Sequence, residues 1–114
     1  MGPALTGGIL GQASQGNAFY ANVNKLNELE TEIKGLRGDG KYAEVVQLMR
    51  DRPEASLIAA ANKAERDVQK LRRDKRDLIE RGADRSEVKA KEDQITSVMV
   101  RLNELVKSRE EADQ

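Results

Sequence analysis

The chain has no cysteine, no histidine and no tryptophan, and only two prolines among its 114 residues. Without cysteine it uses neither disulfides nor a thiolate metal site. Without histidine it lacks the commonest metal ligand and the usual near-neutral acid–base group. Aromatics are almost missing: Phe19, Tyr20 and Tyr42 are the whole set. No apolar run approaches the roughly 20 residues that a membrane helix needs, so no membrane span is expected. The opening, Met1 to Leu10, lacks the basic region followed by a continuous apolar block that marks a secretory signal. Charge of one sign is not in excess either, since Lys+Arg and Asp+Glu number 20 each. A general nucleic-acid binder carries a basic surplus, because phosphate neutralisation supplies most of its affinity. Nucleic acid is therefore kept only as a minor alternative partner.

Leucine, alanine, valine, glutamate, lysine and arginine make up most of the remainder. That mixture suits long exposed helices with narrow apolar seams. The length allows one domain. Residues 1–16 differ from the rest: Gly2, Pro3, Gly7, Gly8, Gly11 and Gly16 interrupt a few small apolar residues, which reads as a flexible arm. A phosphate-cradling loop would want a preceding strand and a nearby base, and the segment offers neither.

From residue 17 the period becomes helical. Phe19, Val23, Leu26, Leu29, Ile33 and Leu36 share one stripe of a helix over 17–37. Gly38-Asp39-Gly40 stops it, with Gly38 expected in the left-handed conformation. A short helix over 41–51 follows, with Tyr42, Val45, Val46 and Met49 on its inner face. Pro53 suits the first turn of a third helix over 53–81. Its positions Leu57, Ala61, Ala64, Val68, Leu71, Lys75 and Leu78 alternate steps of four and three, a coiled-coil seam. After Gly82, Asp84 and Glu87 form a capping-box pattern opening a fourth helix over 85–108. Its seam is Val88, Ile95, Val98, Leu102 and Leu105, widened by Met99 and Val106. Residues 109–114 are expected to fray.

The short loop after Gly82 requires helices three and four to fold back antiparallel. Charge agrees: Lys63 to Arg81 holds eight bases and five acids, Gly82 to Gln114 six and eight. The expected fold is thus all-α, a long antiparallel hairpin with coiled-coil-like packing and a shorter helix pair beside it.

Reaction chemistry finds no foothold. The serines have no histidine to activate them. The carboxylates are spread over polar helix faces with no apolar pocket to perturb one. Clusters such as Glu28-Glu30-Glu32 lack the spacing of a calcium loop. The expectation is a protein that is not an enzyme, with no catalytic residues, metal or cofactor. Arg72, Arg73 and Arg76 form the sharpest polar feature. They read as a patch for an acidic partner or phosphate, against the plainer reading of a solvated face with Arg73–Asp77 and Arg76–Glu80 ion pairs. Lys75, a cation on an apolar seam, is the candidate for fixing register or oligomeric state, against a lysine stem lying along the seam with its head in water. Asn22 and Asn103 raise the same question more weakly. Met49 and Met99 read as core filler. Phe19 and Tyr20 are either an anchor for the first helix or a partner-binding pair.

A family resemblance adds to this. The aromatic pair Phe19-Tyr20 opens a helix ending in Leu36-Arg37-Gly38-Asp39-Gly40-Lys41. Ala43-Glu44-Val45-Val46-Gln47-Leu48 then leads to Arg52-Pro53-Glu54. The long helix carries Val68, Leu71-Arg72-Arg73 and Leu78-Ile79, and Asp84-Arg85-Ser86-Glu87-Val88-Lys89 precedes Ile95 and a Met99-to-Leu105 tail. This order resembles the C-terminal helical segment of large phage-encoded proteins: internal virion or DNA-ejection proteins and multidomain "polyvalent" proteins, which often carry lytic transglycosylase or protease domains elsewhere. The resemblance covers nearly everything after Asn17. It implies a helical connector or assembly element, located in the virion or the host bacterial cytoplasm, with no catalytic residues to carry over. Here the segment stands behind a glycine-rich arm without those enzymatic domains, which implies a fragment or a free-standing relative. Self-association or docking onto a larger phage or host assembly is the expected partnership. The alternatives are a small phage or mobile-element protein that inhibits a host protein, of anti-defence type, and a nucleic-acid-associated helical protein.

Overall fold

The structure, a computed structural model, describes the backbone of residues 2–112 and the side chains of residues 14–112. It is all-α, with helices α1 (Gly2–Gly38), α2 (Tyr42–Asp51), α3 (Ile58–Glu80) and α4 (Arg85–Ala112). A 3-10 turn, Pro53–Leu57, leads into α3 with Pro53 in its first positions. The third helix is therefore regular only from Ile58, and its first turn is wound more tightly than the seam pattern indicated.

Two further boundaries differ from the sequence reading. The glycine-rich segment expected as a flexible arm is helical from Gly2 onward, so α1 has 37 residues and is the longest element instead of one of a shorter pair. Each interior glycine costs about 0.8–1.0 kcal/mol relative to alanine. Yet a helix already nucleated downstream gains one backbone hydrogen bond for each further residue it fixes, and Ala4, Leu5, Ile9, Leu10 and Ala13 punctuate the glycines. At the other end α4 continues to Ala112, so residues 109–112 are helical where fraying was expected. Met1, Asp113 and Gln114 lie outside the described residues.

Both long-helix exits use one device. After α1, Gly40 takes φ 74°, the Gly40 amide donates to the Arg37 carbonyl and the Lys41 amide to the Leu36 carbonyl. After α3, Gly82 takes φ 72°, with matching bonds from Gly82 to Ile79 and from Ala83 to Leu78. This paired 5→2 and 6→1 arrangement satisfies the terminal carbonyls and needs a residue without a side-chain clash at the left-handed position. The left-handed glycine is Gly40, and Gly38 is the last helical residue. At the start of α4 the Glu87 and Val88 amides donate to the main-chain carbonyl of Asp84.

Helices α3 and α4 form the expected antiparallel hairpin. Helix α1 lies against both. Asn62 meets Glu30 and Arg72 meets Tyr20, so α1 runs antiparallel to α3. Asn22 meets Asn103 and Lys25 meets Glu110, so it runs parallel to α4. The core is the meeting line of three stripes: Phe19, Val23, Leu26, Leu29 and Ile33 on α1, Ala61, Ala64 and Val68 on α3, and Ile95, Met99, Leu102 and Val106 on α4. Ala61 and Ala64 are the small members of that line, and each large buried side chain contributes about 1.5–3 kcal/mol. The molecule extends 54 × 37 × 14 Å, an elongated body.

Two faces are turned otherwise than the sequence pattern suggested. On α4, Leu105 is 42% exposed and Val88 and Val98 are only partly covered. That helix serves α1 as well as α3, which rotates the buried stripe toward Met99 and Val106. On α2 only Val45 is buried, with Leu48 packed partly against the core. Tyr42, Val46 and Met49, expected inside, are 65%, 51% and 42% exposed. Met49 is therefore not core filler, whereas Met99 is buried.

Candidate interaction surface

On α3, positions 72 and 76 lie one helical turn apart and share a face, next to the seam that Lys75 occupies. Antiparallel packing brings that face to the level of Tyr20 on α1. The Tyr20 ring meets Phe19 edge-on, with centroids 5.1 Å apart at 76°, and the Arg72 guanidinium lies 5.5 Å from the Tyr20 ring centroid. Between α1, the outer half of α3 and the facing part of α4 is an open cleft of about 820 Å³. Arg72, Lys75 and Arg76 line one wall, Tyr20 the opposite one, and Ile79, Ile95 and Met99 supply apolar surface.

Charge in the cleft is partly neutralised. Lys75 Nζ lies 3.2 Å from Glu92 Oε1 across the hairpin, and Lys91 Nζ lies 3.9 Å from Asp74 Oδ2 one step away with reversed polarity. The same-helix ion pairs among the described residues all use lysines: Lys34–Glu30, Lys63–Asp67, Lys89–Asp93 and Lys107–Glu111. The Arg73–Asp77 and Arg76–Glu80 pairs expected from spacing are not among them. Arg72 has its guanidinium on the ring instead. The cleft thus offers two arginines beside an aromatic face and an apolar floor. A planar, weakly hydrated guanidinium suits carboxylate or phosphate recognition, so this arrangement fits an anionic group attached to an apolar body.

No protein-family model, curated protein or solved structure matches the chain. What the residues themselves do therefore carries the reading.

The structure brings Tyr20, Arg72, Lys75 and Arg76 together and separates the other two sequence candidates from them. Phe19 is 0% exposed, so it belongs to the core and offers no surface to a partner. Arg73 is exposed but does not line the cleft. Lys75 lies partly along the seam and closes a register contact within the chain. Among the described residues no group of three carboxylates is placed to hold a metal ion, and no helix is long and apolar enough to cross a membrane.

Three polar contacts between helices were weakly signalled or silent in the sequence. Asn103 donates to the Gln15 carbonyl at 2.9 Å and to its side-chain oxygen at 2.7 Å, while accepting from Asn22 at 2.9 Å. Glu54, 9% exposed, meets Arg52 Nε at 2.7 Å and Lys25 Nζ at 3.7 Å, and Lys25 also reaches Glu110 at 2.9 Å. Asn62 donates to Glu30 at 3.2 Å. Only Asn22 and Asn103, polar residues flanking apolar stripes, gave a usable signal.

Proposed function

We propose that the chain is a non-catalytic helical assembly module, a component of a phage particle or part of one, that holds proteins together by helix packing. The observation that carries this reading is the outer stripe of α2. Tyr42, Val46 and Met49 stand on one face of that helix, all exposed, while Val45 and Leu48 fix its other face to the core. An amphipathic element anchored on one side with contiguous apolar side chains on the other is a common basis of helix-mediated docking. The phage context is drawn from the resemblance in element order and from the motifs between Phe19 and Leu105.

Density-gradient-purified particles of the phage carrying the gene should contain the chain. Val46→Glu should remove it from them while far-UV circular dichroism stays unchanged. A wild-type chain absent from particles and co-purifying with a host complex would support the host-inhibitor reading instead. A second reading is favoured by Arg72, Arg73 and Arg76, which have no carboxylate partner among the described ion pairs. If these three contact duplex phosphates, log affinity falls against log salt with a slope of about −2.7, at about −0.9 per contact. A flat response removes that reading.

A further inference from the structure

The side of the α3–α4 hairpin turned away from α1 carries a groove with two lobes meeting at a waist. One lobe, about 300 Å³, lies near Ala60 and Leu105; the other, about 540 Å³, lies near Leu71 and Gln94. Asp67, Ser97 and Val98 line both lobes and form the waist. The pairs Asp74–Lys91 and Lys75–Glu92 fix the level at which α3 faces α4. By that register, the step between Val68 and Gln69 on α3 stands level with the step between Ser97 and Val98 on α4.

A twofold axis through that level, perpendicular to the helices, sets α3 antiparallel over α3 of a second copy, and α4 over α4. Residues equally distant from the axis then oppose one another. On α3 this pairs Lys63 with Asp74 and Asp67 with Lys70; on α4 it pairs Gln94 with Arg101 and Ser97 with Val98. Both charged pairs are of opposite sign, with Asp67 and Asp74 shared with Lys63 and Lys91 of their own chain, and on α4 a small and an apolar residue meet at the axis. The exposed Leu105 of each copy opposes Ala90, next to the Lys91 end of the larger lobe of the other. One axis satisfies both helices, although α3 and α4 have unrelated sequences. An isologous contact requires this self-complementarity of a patch.

We infer that the outer α3–α4 face binds a second copy of this chain, closing an antiparallel four-helix interface about that axis. This deepens the helix-packing reading above and rests on it. The contact covers about 21 Å of each helix at 1.5 Å per residue.

Sedimentation equilibrium of the full chain tests the interface. The expected mass rises with concentration to twice the 12.7 kDa of one chain. Lys70→Asp sets Asp67 against an aspartate twice per dimer and should weaken association at least tenfold. The swap Asp67→Lys with Lys70→Asp recreates both contacts and should restore it. Because the chain has no cysteine, single cysteines report orientation. Ser97→Cys, at the axis, should crosslink to its mate. Ser108→Cys should not, since its mate lies about 30 Å away at 1.5 Å per residue. A monomer at every concentration overturns the inference, as does a dimer indifferent to Lys70→Asp or crosslinked equally through position 108. Lys70→Asp leaves Tyr42, Val46 and Met49 untouched. A monomeric chain still carried in particles therefore ends this inference alone, whereas a dimer missing from particles ends the assembly reading alone.

Discussion

Replacing Phe19 and Tyr20 one at a time separates a core anchor from a surface contact at adjacent positions. Phe19 is 0% exposed and sits among Val23, Leu26 and the stripes of α3 and α4. Truncating such a phenylalanine to alanine removes its burial and leaves a cavity, a loss of about 3–5 kcal/mol. Tyr20 is 37% exposed. Tyr20→Ala forfeits the edge contact with Phe19, about 0.5–1.5 kcal/mol, and the Arg72 cation–π contact, about 0.5–1 kcal/mol at an exposed site. The expected cost is thus about 1–2 kcal/mol. At about 4 °C per kcal/mol for a domain near this size, Phe19→Ala lowers the melting temperature by about 15 °C and Tyr20→Ala by about 6 °C. Because total stability of small domains is about 5–15 kcal/mol, Phe19→Leu is the milder companion, expected at about 1–2 kcal/mol. Far-UV circular dichroism during urea and thermal unfolding is the assay, since the chain has no tryptophan to report by fluorescence. Working well below the association range keeps dimer formation from adding to the apparent stability. A Phe19→Ala protein within about 1 kcal/mol of wild type, or a Tyr20→Ala protein as damaged as Phe19→Ala, would refute the assignment of Phe19 to the centre of the core.

Three further outcomes follow from single contacts. Asn103→Ala removes three hydrogen bonds between α1 and α4; at about 0.5–1.5 kcal/mol each, reduced where water replaces them, it should cost about 2 kcal/mol by urea melt. Gly82→Ala meets no atom within 4 Å of its new Cβ, so its cost of about 1–2 kcal/mol comes from the left-handed backbone alone, and Gly82→Asn should recover about half of it. Lys75→Glu opposes Glu92 at a partly exposed site and should cost at most about 1 kcal/mol, with the added Glu92→Lys change restoring wild-type stability.

The all-α fold and the hairpin are legible because four apolar stripes repeat at helical spacing and Gly82 marks a short reversal. Where the sequence reading slipped, the choice was local and nearly balanced. Gly38 and Gly40 lie two residues apart, and only the hydrogen bonds from Gly40 and Lys41 back to Arg37 and Leu36 decide which is left-handed. On α2 the apolar residues span more than one face. Val45 and Leu48 face the core and leave Tyr42, Val46 and Met49 outside. The extension of α1 through its glycines runs against propensity, so composition alone points to an arm there. Tyr20 and Arg72 each looked anomalous in the sequence, but they are far apart in the chain and their stacking follows from the antiparallel register of α1 and α3. The spacing of Arg73 with Asp77 and of Arg76 with Glu80 suits ion pairs, yet neither is among the same-helix pairs of the described residues, which join lysines to other carboxylates.

Register is the property that apolar stripes alone leave weakest. Leu, Val, Ala and Ile recur at three- and four-residue steps on α1, α3 and α4, so a slip of one heptad would still bury apolar side chains against one another. The interhelical polar contacts remove that freedom. Slipping α4 along α1 would strand Asn103 away from Gln15 and Asn22, and Lys25 away from Glu110. Slipping α3 against α4 would break Lys75–Glu92 and Asp74–Lys91, which have opposite polarity at successive levels. Slipping α1 along α3 would part Asn62 from Glu30 and Arg72 from the Tyr20 ring. Each contact contributes only about 1 kcal/mol to stability, yet each slip forfeits two or more together and leaves part-buried groups without partners. Exposed ion pairs with little effect on a melting curve thus acquire a role in choosing one helical arrangement over its neighbours. That choice sets the level of Ser97 with Val68, and so whether one twofold axis can serve both helices of the hairpin.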